Sequence, residues 1–137
     1  MDDRLNEAFE AVPRHLFLRE SEKKYADLDR PLPIGFGVTN SQPTTVRNML
    51  SLLGVQRGDR VLDVGSGSGW TTALLAEIAG PEGLVIGVER IPELVERSRA
   101  ALESWPNAEI VQATPGVYGV PQRGPYNRIL VSAMADD

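Results

Sequence analysis

Apolar positions along the chain follow a helical period at first, lose all period, and then alternate between short runs and helical stripes. Leu5, Ala8, Phe9 and Val12 recur at helical spacing, so residues 3–12 predict an amphipathic helix that stops before Pro13. Residues 14–29 are dense in charge (Arg14, Arg19, Glu20, Glu22, Lys23, Lys24, Asp27, Asp29) and read as a solvated helix or turn. Residues 30–43 carry Pro31, Pro33, Pro43, Gly35 and Gly37. That density of breakers predicts a long ordered loop or a disordered linker rather than one regular element.

From residue 44 the pattern becomes regular. Val46, Met49, Leu50 and Leu53 share one face of a helix over 44–53, with Pro43 suited to its start and Gly54 to a left-handed stop. Arg60 to Val64 reads as a strand, 69–79 as a helix ending at Gly80-Pro81, and Leu84 to Glu89 as a second strand. Pro92 opens a helix over 92–104 carrying Leu94, Val95, Ala101 and Leu102; Ala108 to Gln112 and Arg128 to Ser132 complete the set as strands. Buried strands alternating with helices predict an α/β fold, a mainly parallel sheet with helices on both faces and right-handed crossovers. There is no internal repeat and no low-complexity tract.

Composition narrows the function. With 137 residues the chain suits one domain, 1–137, able to bury roughly two thirds of its unfolded surface. It carries 14 basic and 19 acidic residues, net charge −5, which disfavours broad nucleic-acid binding. Absence of cysteine excludes disulfides, thiolate zinc and cysteine nucleophiles, and fits a reducing cytoplasm. No run approaches the ~18 apolar residues of a membrane span, and Met1-Asp2-Asp3-Arg4 lacks a signal-peptide pattern. The expectation is a cytoplasmic protein with no membrane and no nucleic-acid partner.

The most informative segment is V-L-D-V-G-S-G-S-G-W, residues 61–70, in which an apolar strand runs into Gly65, Gly67 and Gly69 just before a helix. Glycines there let the chain turn sharply and let a ligand lie against bare main chain. A dinucleotide fingerprint needs its third glycine where Trp70 stands, so the spacing favours a nucleoside over a pyrophosphate. A nucleoside also needs an acid at the end of the second strand for its ribose hydroxyls, and Glu89 stands there, 20 residues after Gly69. Asp63, two residues before Gly65, is placed to face a cationic ligand group. The competing reading is a tight strand-to-helix turn that holds nothing. Ser66 and Ser68 read as loop hydrogen-bonders, and His15, beside Arg14, as a surface or packing residue.

These residues resemble the class I S-adenosylmethionine-dependent methyltransferases, and the upstream segments narrow the resemblance. V-P-R-H-L-F (12–17) and D-R-P-L-P-I-G-F-G-V-T-N-S-Q-P (29–43) are similar to protein-L-isoaspartate O-methyltransferases, as are G-D-R-V-L-D-V-G-S-G-S-G, V-E-R-I-P-E-L and P-Y-N-R-I-L-V in their order. The resemblance implies a Rossmann-like domain: N-terminal helices and an acceptor-side loop over 1–43, then a core over 44–137 that lacks the C-terminal strands. It implies S-adenosylmethionine as cofactor, held by Asp63, Gly65, Ser66, Gly67, Gly69 and Glu89. It implies an acceptor side at Thr39 and Ser41, with Ser41 bonding the substrate carboxylate, and a protein or peptide substrate bearing isoaspartyl residues.

This sequence departs from the family pattern at four places. Phe36 replaces a histidine, Asn40 an aliphatic residue, Thr114-Pro115-Gly116 a G-D-G whose acid contacts adenine, and Asn127 an aspartate. The resemblance implies further strands beyond the one ending near Ser132, so the chain is expected to be either a natural short relative or a fragment, with its last strand an edge open to self-association. The alternative these departures raise is a binding or structural protein that retains the fold without catalysis.

Overall fold

The computed structural model describes residues 3–117 and 120–132. Helix α1 (Asp3–Ala11) buries Leu5 and Ala8, and Val12 beyond its end is buried too. Two 3-10 turns follow, Arg14–Phe17 and Glu20–Tyr25, where a helix or turn was expected. The segment expected as a loop or linker is instead a small antiparallel hairpin, β1 (Leu32–Gly35) and β2 (Val38–Asn40), closed by Gly35-Phe36-Gly37, all at positive φ. Its prolines are tolerated because a two-stranded hairpin is all edge, and Pro33 faces outward while Leu32 and Ile34 are buried. Buried Leu18, Leu32, Ile34 and Leu94 form a small cluster that seats the hairpin on the second half of the chain.

Helix α2 (Pro43–Leu53) starts on proline and ends at Gly54 in the left-handed conformation (φ 65°), as its sequence demands. No side chain of the residue before it caps the helix; Asp29 does so from a distance, accepting from the Thr44 amide at 2.9 Å and its hydroxyl at 2.6 Å. Those bonds hold the Asp29 carboxyl below its ordinary pKa. Then come β3 (Arg60–Val64), α3 (Trp70–Ala79), β4 (Leu84–Glu89), α4 (Pro92–Ala101), β5 (Ala108–Gln112) and β6 (Arg128–Val131). Helix α4 ends three residues short of the expected 104, its last carbonyls taken up by a turn at Leu102.

The four strands from β3 onward form a parallel sheet in the order β5-β4-β3-β6. Strand order therefore reverses between β3 and β6, which opens a crevice at the carboxyl ends of the strands there. Successive residues of a strand face opposite ways, and residues two apart share a face. Val61, Val85, Ile110 and Leu130 point to one face and join α1, α2, α3 and α4 in the large core cluster. Leu62, Ile86 and Val88 point to the other, where Val120 and Tyr126 cover them. Helices α1 to α4 pack on the first face, and among the described residues Ala113, Val120 and Tyr126 lie over the second. On that second face Ile129 and Val131 of β6 remain 54% and 61% exposed.

Close approach of α3 to the sheet depends on a missing side chain. A Cβ on Gly87, in mid-β4, would lie 2.7 Å from Ile110 Cδ1 and 2.9 Å from both Ser66 Cβ and Thr72 Oγ1. Glycine here admits the loop and helix onto the strand, and it sets the depth at which the loop lies.

Candidate functional site

At the carboxyl ends of β3 and β4 lies a cavity of about 870 Å³. Its floor is the loop after β3, where Gly65 and Gly67 adopt positive φ (77° and 55°), which only glycine takes without strain. The amides of Gly65 and Ser66 both donate to the Val88 carbonyl (2.8 and 3.1 Å), fastening the loop to the neighbouring strand. Glu89, at the end of β4 and 6% exposed, closes it: one carboxylate oxygen accepts from the Gly67 amide at 2.9 Å, the other from the Ile91 amide at 3.0 Å. Each oxygen keeps a lone pair beyond the one used, so Glu89 still accepts hydroxyl donors from the cavity. The far wall is the stretch 112–117 and the roof is the hairpin end, 37–41.

Six of the eight sequence-predicted residues line this space: Thr39, Ser41, Gly65, Ser66, Gly67 and Glu89. Thr39 is exposed and Ser41 half-buried. Ser66 is buried over Gly87, and its hydroxyl has no hydrogen-bond partner among the described residues.

Asp63 and Gly69 are not among the residues that line the cavity. Asp63 is fully buried beneath it, and its carboxylate is surrounded by donors: Thr71 and Thr72 hydroxyls at 2.7 and 2.9 Å on one oxygen, Ser132 at 2.8 Å on the other. Instead of facing a cation it ties the first turn of α3 to the end of β6. Burial pushes its pKa up, against the pull of those three hydroxyls, and the nearby Glu89 charge adds to the rise. Gly69 (φ 91°) precedes α3, and a Cβ there would stand 3.0 Å from Ser98 Cβ of α4. Its role is helix packing.

Sequence reasoning missed the residue that holds the roof. Arg14, assigned to a solvated segment, is 6% exposed. Its guanidinium donates to the carbonyls of Ala26, Leu28, Arg30, Asn40 and Ser41 and to Asn40 Oδ1, and lies 5.5 Å from the Trp70 ring centroid. Trp70 is pinned in turn by Nε1 donating to the Val12 carbonyl at 3.1 Å and by the edge of Phe9. Desolvation lowers the Arg14 pKa, partly offset by Asp29, and arginine stays charged throughout. A cation satisfied by carbonyl oxygens leaves no mark in hydrophobic periodicity; the one available signal was its place in V-P-R-H-L-F.

Two of the departures also find their place. Asn127 Oδ1 accepts from the Arg60 amide at 2.7 Å, and its own amide donates to the Arg60 carbonyl, so a neutral side chain starts the β3–β6 pairing. Pro115 is exposed on the cavity's far wall. Among the described residues no group of three or more metal-ligating side chains occurs.

The family profile of protein-L-isoaspartate (D-aspartate) O-methyltransferases matches residues 1–137. A curated protein-L-isoaspartate O-methyltransferase of Aeropyrum pernix is 50% identical over 134 residues, which cover 96% of this chain and 52% of that protein. A second, from Archaeoglobus fulgidus, is 47% identical, covering 96% of this chain and 60% of its own. Among solved structures, a protein-L-isoaspartate O-methyltransferase superposes with a TM-score of 0.86 at 31% identity, over 95% of this chain and 43% of that one. Another, from Plasmodium falciparum and solved with S-adenosyl-L-homocysteine, gives 0.72 at 28% identity, over 83% and 56%. The chain thus spans between half and three fifths of the length of these curated relatives, 52% and 60%.

Proposed function

The chain belongs to the protein-L-isoaspartate O-methyltransferase family, and from that membership we propose that it binds S-adenosylmethionine between Gly65 and Glu89 and methylates isoaspartyl carboxylates presented at Thr39 and Ser41. The observation that carries this reading is Glu89, buried at the cavity wall and locked to the Gly67 amide, with acceptor capacity left over. A volume of about 870 Å³ suits a ligand of nucleoside size. The unpartnered Ser66 hydroxyl adds a polar group on the same wall.

When bound, S-adenosylmethionine supplies an activated methyl group: a carboxylate oxygen bonds to the methyl carbon, the carbon–sulfur bond breaks, and a methyl ester and a neutral thioether result. The acceptor is ionised at neutral pH, so no side chain has to remove a proton, and a site without a catalytic base is sufficient. What remains for the protein is alignment and exclusion of water. Glu89 and the bare loop hold one partner; Ser41, on the opposite wall, is the hydroxyl proposed to hold the carboxylate.

Calorimetry with S-adenosylhomocysteine tests the first half: binding is expected, and Glu89→Ala abolishes it. Radiolabelled methyl transfer to an isoaspartyl peptide, against its aspartyl control, tests the second, with Ser41→Ala expected to raise the peptide KM. Binding without transfer in the wild type would leave the non-catalytic binding protein as the better account. No binding at millimolar ligand overturns the reading.

Net charge −5 supports the absence of a nucleic-acid partner, and the lack of cysteine a cytoplasmic location. Among the described residues no helix is long and apolar enough to cross a membrane. The outer edge of β6, beside exposed Ile129 and Val131, supports self-association. A monomer by sedimentation at high micromolar concentration overturns that.

A further inference from the structure

The structure gives the buried Asn40 amide two side-chain partners, Arg14 in the first 3-10 turn and Ser68 in the glycine loop. Its oxygen accepts from Arg14 Nε; its nitrogen donates to Ser68 Oγ at 3.0 Å. Asn40 is 3% exposed and Ser68 7%. Ser68 belongs to the glycine loop and also accepts from the Trp70 amide at 3.4 Å. The residues flanking Asn40, Thr39 in β2 and Ser41 beyond it, are the proposed acceptor-side residues, and Arg14 donates to the Ser41 carbonyl at 3.2 Å.

We propose that Asn40 is a positioning residue, the middle of an Arg14–Asn40–Ser68 bridge that fixes the acceptor segment 39–41 at one height above the cofactor loop. An aliphatic side chain seats the hairpin by packing alone, which tolerates sliding. Two directed hydrogen bonds in a dry setting do not, because a shifted hairpin strands an amide and a guanidinium N–H without partners. Asn40 touches neither reacting atom; it acts through Thr39 and Ser41. The catalytic meaning of the bridge rests on the methyltransferase reading, whereas the bridge itself does not.

Three variants of the full chain separate the possibilities. Asn40→Leu keeps the volume and removes both bonds; Asn40→Asp keeps an acceptor for Arg14 and accepts from the Ser68 hydroxyl; Ser68→Ala removes one leg with little change in volume. Amide hydrogen exchange at 38–41 is read first, since it needs no activity. Asn40→Leu and Ser68→Ala are expected to exchange about tenfold faster there, the scale of one lost buried hydrogen bond, while Asn40→Asp stays near wild type. In peptide methylation the same two variants raise the KM about tenfold with kcat little changed, and Asn40→Asp restores it. Wild-type exchange in both Asn40→Leu and Ser68→Ala overturns the bridge, as does failure of Asn40→Asp to differ from Asn40→Leu. If Asn40→Leu does not fold, by loss of its thermal transition, Ser68→Ala decides alone. A wild type that binds no S-adenosylhomocysteine overturns the function but leaves the exchange result to judge the bridge.

Discussion

One wall of the cavity is main chain held by a single acid; the other is a hairpin held by a single base. Residues 65–69 lie against β4 through bonds made within the βαβ unit, to Val88 and Glu89 at the end of the next strand. Residues 37–41 are held by Arg14, which gathers carbonyls from 26, 28 and 30 as well as from 40 and 41 before stacking beside Trp70. Among the described residues neither buried charge makes a salt bridge: Glu89 is met by two backbone amides, Arg14 by five carbonyls and the Asn40 amide oxygen. They differ in what a failure releases. Loss of Glu89 frees one turn; loss of Arg14 frees two separate segments, 26–30 and 40–41, at once.

The largest effect should therefore come from Arg14→Met, which keeps the apolar stem and leaves five carbonyls and the Asn40 amide oxygen without their donor. Urea unfolding should show a loss of ~3 kcal/mol or more, since several buried neutral acceptors lose their donor at ~1–3 kcal/mol each before relaxation. A loss below ~1 kcal/mol means that the apolar cluster around Leu32 and Ile34, not the cation, seats the hairpin.

Glu89→Gln comes next, at ~1–3 kcal/mol, because an amide nitrogen must then face either the Gly67 or the Ile91 N–H. Affinity for S-adenosylhomocysteine should fall with it, about tenfold or more by calorimetry. Equal stability and equal affinity would remove the asymmetry between the two walls.

Asp63→Asn sharpens the contrast through pH. Burial raises the Asp63 pKa, so in the interval between its unfolded and folded values the folded state holds a proton that the unfolded chain has lost. Stability from this group is full below the unfolded value and declines as pH rises through the folded one. Thermal unfolding across pH should show that decline in wild type and its absence in Asp63→Asn. Parallel profiles mean the three hydroxyl bonds have cancelled the cost of burial.

The smallest effect belongs to Phe36→Gly at the hairpin tip, where Phe36 sits at φ 59° and is 52% exposed. Relief of a left-handed backbone, ~1–2 kcal/mol, is opposed by the extra freedom glycine gives the unfolded chain, ~0.5–1. A net gain under ~1 kcal/mol is expected by urea unfolding. A marked loss would give the Phe36 ring a packing role that its exposure does not suggest.

How legible each part was follows from the range of its interactions. Strand β3, the loop to Gly69, helix α3 and the left-handed stop at Gly54 are written locally, in runs of apolar residues and glycines whose meaning lies within a few positions. The hairpin over 32–40 was hidden by Pro33 within it and Pro31 just before it, which suit a lone antiparallel pair as well as they suit a loop. Asp63 was misplaced for a related reason. Two residues before the first glycine, it looks inward as readily as outward, and only the arrival of Ser132 and the α3 hydroxyls fixes which.

By itself the sequence determined the order of strands and helices from residue 43 onward, the turn at the glycine loop and the acid that answers it, because period and φ are short-range properties. The tertiary structure decided which faces the helices cover, that Asp63 supports rather than lines the cavity, and that Arg14 and Asn40 join its two sides. Those outcomes depend on where polar groups far apart in the chain meet out of water, and a buried charge is stable only where its partners converge.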